Sequence, residues 1–190
     1  MSIHEDRLRW NRRYSEPGFV PDWAPDVILA ERLPNLPAGR ALEIASGIGA
    51  NALFLAKRGY QVDAIDLSDV AIERLRVAAS AEGVNESVHL MLGDVNAWPL
   101  EAEAYDLVLV FRFLSRPAIP KLHAALKPGG VLLYQTFTTA HRVRHPSLPE
   151  AYCASPGELE SLFAELDIAL YQESEDDHAA LATLIGRKRS

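Results

Sequence analysis

Residues 41–52, Ala-Leu-Glu-Ile-Ala-Ser-Gly-Ile-Gly-Ala-Asn-Ala, constrain this chain more than any other stretch. Ala41, Leu42, Ile44 and Ala45 follow a turn at Pro37-Ala-Gly39 and read as a short buried strand. Gly47 and Gly49 then supply backbone freedom where the chain must reverse tightly and let a ligand come close. From Asn51 the apolar period changes. Ala52, Leu53, Leu55 and Ala56 mark one face of a helix that ends at Gly59. A strand feeding a helix through such a turn aims free N–H groups at whatever lies above it. The stretch therefore predicts a nucleotide-type site at the carboxyl edge of a parallel sheet.

Gly47-x-Gly49 by itself is a weak signal, and 47–52 also satisfies the dinucleotide fingerprint in its Gly/Ala form. Two acidic residues add information. Glu43 lies inside the strand, where a charge is costly unless it meets a partner. Asp66 ends the next apolar run, at the distance from the glycines where ribose hydroxyls are bound.

The rest of the chain alternates. Residues 26–33 read as a helix between Pro25 and Pro34. A second strand over 61–65 precedes a helix over 69–82 that Ser68 caps and Gly83 ends. Strand three covers 88–92 and closes at Gly93-Asp94; strand four covers 105–111 as a nearly continuous apolar run. A helix from Pro117 to Leu126, a turn at 127–130 and strand five over 131–137 follow. Residues 138–155 show no clean period and read as a long loop, of the kind that is functional or disordered. Ser155-Pro-Gly-Glu158 has the spacing of a capping box opening a helix to about residue 166. Residues 168–172 and 178–187 read as two closing strands. Such alternation predicts an α/β architecture: a Rossmann-like, doubly wound, mostly parallel seven-stranded sheet with an antiparallel C-terminal hairpin and helices on both faces. All 190 residues are expected to form one domain, with 1–30 as an N-terminal helical lid segment.

Glu43, the glycine turn and Asp66 together resemble motif I and the following acidic position of class I S-adenosylmethionine-dependent methyltransferases. Ala45 stands where that family usually has glycine. Trp10-Asn-Arg-Arg-Tyr14, with its aromatics one helical turn apart, is similar to the N-terminal segment of tellurite-resistance-type and thiopurine-type methyltransferases, which contacts or covers the cofactor. The resemblance implies S-adenosylmethionine as cofactor, with S-adenosylhomocysteine as product. It implies contacts from Trp10, Tyr14, Glu43, Ala45, Ser46, Gly47, Gly49, Asn51, Asp66, Leu67, Gly93, Asp94, Val95 and Phe111. Asp66 would take the ribose diol, Asp94 and Val95 the adenine edge, Leu67 its face, and Phe111 the sulfonium side.

Methyl transfer from sulfur needs positioning more than acid–base chemistry, so no catalytic residue is assigned. Residues 111–117, Phe-Arg-Phe-Leu-Ser-Arg-Pro, resemble the Tyr/Phe-Leu-His-Arg-Pro segment of small tellurite-resistance-like enzymes, with Ser115 in place of the histidine. Arg112 and Arg116 are candidates for an anionic acceptor, and His141 and His145 for a base near neutral pH. No metal set stands out.

A formal net charge of -7 argues against a nucleic-acid or anionic-membrane partner, and no apolar run is long enough to span a bilayer. One cysteine, Cys153, and no signal pattern fit a cytoplasmic protein, monomeric or homodimeric. The leading expectation is methyl transfer to a small-molecule acceptor. Two alternatives share part of the pattern: an NAD(P)-binding oxidoreductase-type protein and a non-catalytic S-adenosylmethionine binder.

Overall fold

A computed structural model describes residues 2–190. Two compact units, Met1–Pro99 and Leu100–Ser190, carry a seven-stranded sheet of order β3-β2-β1-β4-β5-β7-β6 with helices on both sides.

In the first unit, β1 (Arg40–Ile44), β2 (Gln61–Asp66) and β3 (Val88–Leu92) run parallel, with Glu43 opposite Ala64 and Asp66 opposite Leu92. Their residues are mostly buried, as a parallel sheet covered on two faces requires. Helix α1 (Ile3–Ser15) opens with a full capping box, in which Ser2 and Glu5 satisfy each other's backbone N–H. Helix α2 spans Val27–Arg32, with Asp26 as its side-chain cap. Pro34 does not stop the chain outright; it is accommodated in a 3-10 turn over Leu33–Asn35, where its missing N–H costs nothing. Helix α3 (Ala50–Ala56) starts from Gly49, and α4 (Asp69–Ala81) starts from Ser68, whose hydroxyl accepts from Ala71 N–H at 3.1 Å.

In the second unit, β4 (Tyr105–Phe111) pairs with β5 (Leu126–Phe137) in parallel, and β7 (Ala180–Arg187) pairs antiparallel with both β5 and β6 (Asp167–Glu175). Residues 107–110 of β4 are fully buried; each Leu or Val there contributes about 1.5–3 kcal/mol. Helix α5 is Ile119–Ala125, after a 3-10 turn at Arg116–Ala118.

Several expectations are corrected here. Residues 127–130 are not a free turn but part of β5, which starts at Leu126. The ladder continues through them because Gly129 N–H bonds Lys188 and Gly130 carbonyl accepts from Lys188. A Cβ on Gly130 would meet the Tyr105 carbonyl oxygen at 3.0 Å, so only glycine fits that approach. The long loop holds a short helix, α6 (His141–Arg144), a 3-10 turn at Glu150–Tyr152, and a bridge between Thr138 and Ala154. Ser155 is not a side-chain cap. Glu158 accepts from Ser155 N–H at 2.8 Å, and Gly157, at φ 73°, is the residue from which α7 (Glu158–Leu162) departs. That helix stops four residues short of the sequence expectation, because Phe163 and Leu166 are drawn into the core.

Candidate cofactor site

The candidate site lies within the first unit, at the carboxyl ends of β1, β2 and β3. The chain leaves β1 through Ala45, Gly47 and Gly49, all with positive φ of 52°, 55° and 81°. Three left-handed residues in five produce the sharp reversal. Glycine adopts that region freely, whereas alanine at Ala45 pays roughly 1–2 kcal/mol in steric strain. At Gly49 an added Cβ would strike Leu75 Cδ1 at 2.3 Å, so the second glycine serves the packing of α3 on α4. At Gly47 it would meet the Tyr14 hydroxyl at 2.7 Å.

Asp66 holds the turn in place. One carboxylate oxygen accepts from Gly47 N–H and the other from Ser68 N–H, each at 2.8 Å. Burial pushes the Asp66 carboxyl up, while these backbone donors and Leu67 N–H pull it back. Glu43 sits on β1 and is 3% exposed; its Oε1 accepts from the Asn51 amide at 3.0 Å, while Oε2 is buried without a hydrogen-bond partner. Burial pushes its carboxyl up to about 8, against the pull of Asn51 and Ala52 N–H and with a further push from Asp66. The other end of the Asn51 amide accepts from Asp26 N–H at 2.7 Å. Both polar ends of Asn51 are thus spent on the protein. The Ser46 hydroxyl is buried without a partner.

Helix α1 lies against α4 and has no buried residue of its own. Asn11 fastens it: the amide donates to Asp69 at 2.6 Å and accepts from the Ser68 hydroxyl at 2.7 Å, and Arg7 adds a bond to Asp69. One turn on, Tyr14 stacks with Trp10 at 6.0 Å between ring centroids and meets Phe19 edge-on at 5.6 Å. Burial raises the Tyr14 hydroxyl, which stays a neutral donor. Sequence reasoning missed Asn11; its position three residues before Tyr14, on the same helical face, was the available signal.

Beyond β3, Gly93 N–H bonds the Asp66 carbonyl at 2.9 Å, which sets Asp94 beside the end of β2. Asp94 accepts from Asn96 N–H at 2.9 Å, Val95 is buried, and Leu67 is half-buried. Trp98 is an addition to the sequence reading: a Cβ on Gly93 would lie 2.6 Å from its ring. Glu43, Asp66 and Asp94 therefore share one edge of the β1–β3 sheet, with the glycine turn bonded to Asp66.

The remaining candidates are in the second unit. Phe111 is buried at the end of β4, and Arg112 follows with φ 53° and its N–H on the Gln135 carbonyl. Arg116 binds Glu158 through two nitrogens and the carbonyls of Ala151 and Cys153. Those four bonds make it a tie between the 3-10 turn it opens and the chain before α7. His141 is buried, stacked between Phe137 at 4.2 Å and His145 at 4.3 Å. Its Nδ1 accepts from Ala180 N–H, and burial with His145 and Arg144 nearby lowers its basicity. No group of three or more His, Cys, Asp or Glu arranged to hold a metal occurs among the described residues.

Residues 41–130, from β1 into β5, match the methyltransferase domain family. That match, together with the sheet order, supports a class I S-adenosylmethionine-dependent methyltransferase domain. It is 34% identical over 122 residues to the tRNA 5-carboxymethoxyuridine methyltransferase of Escherichia coli K12, an alignment covering 61% of this chain and 46% of that protein. To the malonyl-[acyl-carrier protein] O-methyltransferase of Salmonella typhimurium it is 31% identical over 134 residues, covering 66% and 50%. The methyltransferase domain spans about half the length of the curated relatives it matches. Its fold is shared with TehB of Haemophilus influenzae, with TM-score 0.74 and 20% identity over 96% of this chain and 67% of that one. A SAM-dependent methyltransferase of Methanosarcina mazei has TM-score 0.71 at 19% identity, over 87% and 99%. No helix among the described residues is long and apolar enough to cross a membrane.

Proposed function

We propose that this protein binds S-adenosylmethionine at the β1–β3 edge and transfers its methyl group to a small-molecule acceptor. One observation carries the cofactor assignment. Two buried carboxylates, Glu43 and Asp66, flank a glycine turn, and neither is paired with a cation among the described residues. A ligand with a diol and a cationic amino-acid end suits that chemistry. Asp66, already oriented by two N–H donors, has lone pairs left for the diol; Glu43 Oε2 and the Ser46 hydroxyl are buried polar atoms in want of partners. The bound cofactor supplies an electrophilic methyl group. Gly47 admits the ligand against the backbone, α1 and Tyr14 exclude water above it, and Trp98 with Val95 offers an apolar wall for a base.

Glu43 opposes the oxidoreductase reading. Asp66 would suit the ribose of either ligand, but Glu43 beneath the turn offers a pyrophosphate no positive partner, whereas it can neutralise an ammonium. In thermal unfolding, S-adenosylhomocysteine at 100 times its dissociation constant stabilises by about 2.7 kcal/mol, and NAD is expected to give no shift. A shift with NAD alone overturns the assignment.

The small-molecule acceptor is supported by the net charge of -7. Relatives act on varied acceptors by name, including tRNA and a carrier protein. A labelled-methyl screen with small thiols, amines and carboxylates in one arm and bulk tRNA and protein in the other tests this. Label entering the macromolecular arm alone overturns it.

A further inference from the structure

Three carboxylates are buried in the β1–β3 sheet, and they are balanced differently. Asp63 has the Arg40 guanidinium at 2.7 Å. Asp66 has two backbone N–H groups. Glu43 has one side-chain amide and the pull of Ala52 N–H, and its Oε2 makes no hydrogen bond although the residue is 3% exposed. A carboxylate so placed is costly as an anion and tolerable as a neutral acid. The groups that face it make ionisation harder. From β2 comes the Asp66 carboxylate, and from α1 the neutral Tyr14 hydroxyl; α3 contributes only the Asn51 amide and the Ala52 N–H. Neither Lys nor Arg is bonded to Glu43 among the described residues.

We propose that the ligand-free site stores a proton on Glu43, and that the cationic amino-acid end of the ligand displaces it on binding. The inference rests on the reading of this edge as the S-adenosylmethionine site and adds a regulatory property to it. The balance is simple: one O–H bond breaks, the proton goes to solvent, and the carboxylate left behind neutralises the incoming ammonium. No other covalent bond changes. Burial pushing Glu43 up to about 8 agrees with this. Cofactor affinity then depends on pH in a definite direction. Below about 8 the free site must give up its proton, so affinity rises with pH, by up to ~10-fold per unit while one proton is exchanged.

Isothermal titration calorimetry of S-adenosylhomocysteine in two buffers of different ionisation enthalpy, near pH 7, counts the protons released. The expected result is close to one (~1) for the wild type and none for Glu43→Gln. 5′-Methylthioadenosine, which keeps the ribose and adenine but lacks the amino-acid end, is expected to release none. Difference infrared spectra of the unaltered protein give a second readout that does not depend on the variant folding: a protonated-carboxyl band is lost when S-adenosylhomocysteine binds. Tight binding without proton release or band loss overturns the proposal. So does equal release by Glu43→Gln or by methylthioadenosine, which would place the proton on Asp66 or elsewhere. Absence of any S-adenosylhomocysteine binding across the pH range is a different result, and it rejects the cofactor site itself.

Discussion

Gly47 and Gly49 would be equivalent on composition, yet they do different work. Gly49→Ala drives a methyl group into Leu75 and keeps φ at 81°. It is expected to destabilise by about 2–4 kcal/mol, read as a lower urea midpoint at constant slope. Gly47→Ala meets only the hydroxyl end of the Tyr14 side chain. Its stability loss should be smaller, roughly 1–2 kcal/mol, while S-adenosylhomocysteine affinity falls more steeply. Ala45 reverses the logic. At φ 52° it is a strained residue, so Ala45→Gly is expected to raise unfolding free energy by about 0.5–1 kcal/mol, the relief less glycine's entropy in the unfolded chain. Asp66→Ala removes the two bonds proposed for the ribose diol and should weaken cofactor binding by roughly 2–4 kcal/mol. Because Gly47 and Ser68 N–H groups lose their acceptor as well, stability must be measured beside affinity.

Helix α1 has no core of its own and depends on side-chain clamps. Asn11 is the central one, donating to Asp69 and accepting from Ser68. Leucine there can do neither. Asn11→Leu is expected to leave the β1–β3 amides protected from hydrogen exchange while those of α1 lose protection; a uniform loss across both would show that α1 is part of the global fold rather than a separately opening element. The chain between α6 and α7 depends similarly on Arg116, whose four bonds reach Ala151, Cys153 and Glu158.

At the scale of the molecule, the titrating groups act in opposite directions. Glu43 is raised from 4.5 to about 8, so the folded, ligand-free state keeps a proton that the unfolded chain has lost. Its contribution is fullest below pH 4.5 and declines as pH rises towards 8, by at most ~1.4 kcal/mol per unit. His141 is lowered, so the unfolded chain binds the extra proton and stability falls as pH drops below 6.5. Ligand-free protein is therefore expected to melt lower at pH 8.5 than at pH 6.5, and Glu43→Gln to flatten that slope. A wild-type melting temperature that climbs steadily from pH 6.5 to 8.5 would contradict the buried neutral acid.

Local patterns settled much of this chain before any folding. Period and punctuation placed β1, β2, β3, α4 and its Ser68 cap within a residue or so, because burial on a parallel sheet and the need to satisfy a helix start act over a few neighbours. The convergence of Glu43, Asp66 and Asp94 was legible for the same reason: each stands at or near the end of its strand. What only the tertiary structure decided were matters of partnership between distant residues. Residues 127–130 joined β5 because Lys188 pairs with them; Asn51 became a bridge because Asp26 reached it; Arg116 was taken up by Glu158, 42 positions away. Hydrogen-bond partners across such separations leave no period in the sequence, since the chain specifies them only through the packing that brings them together.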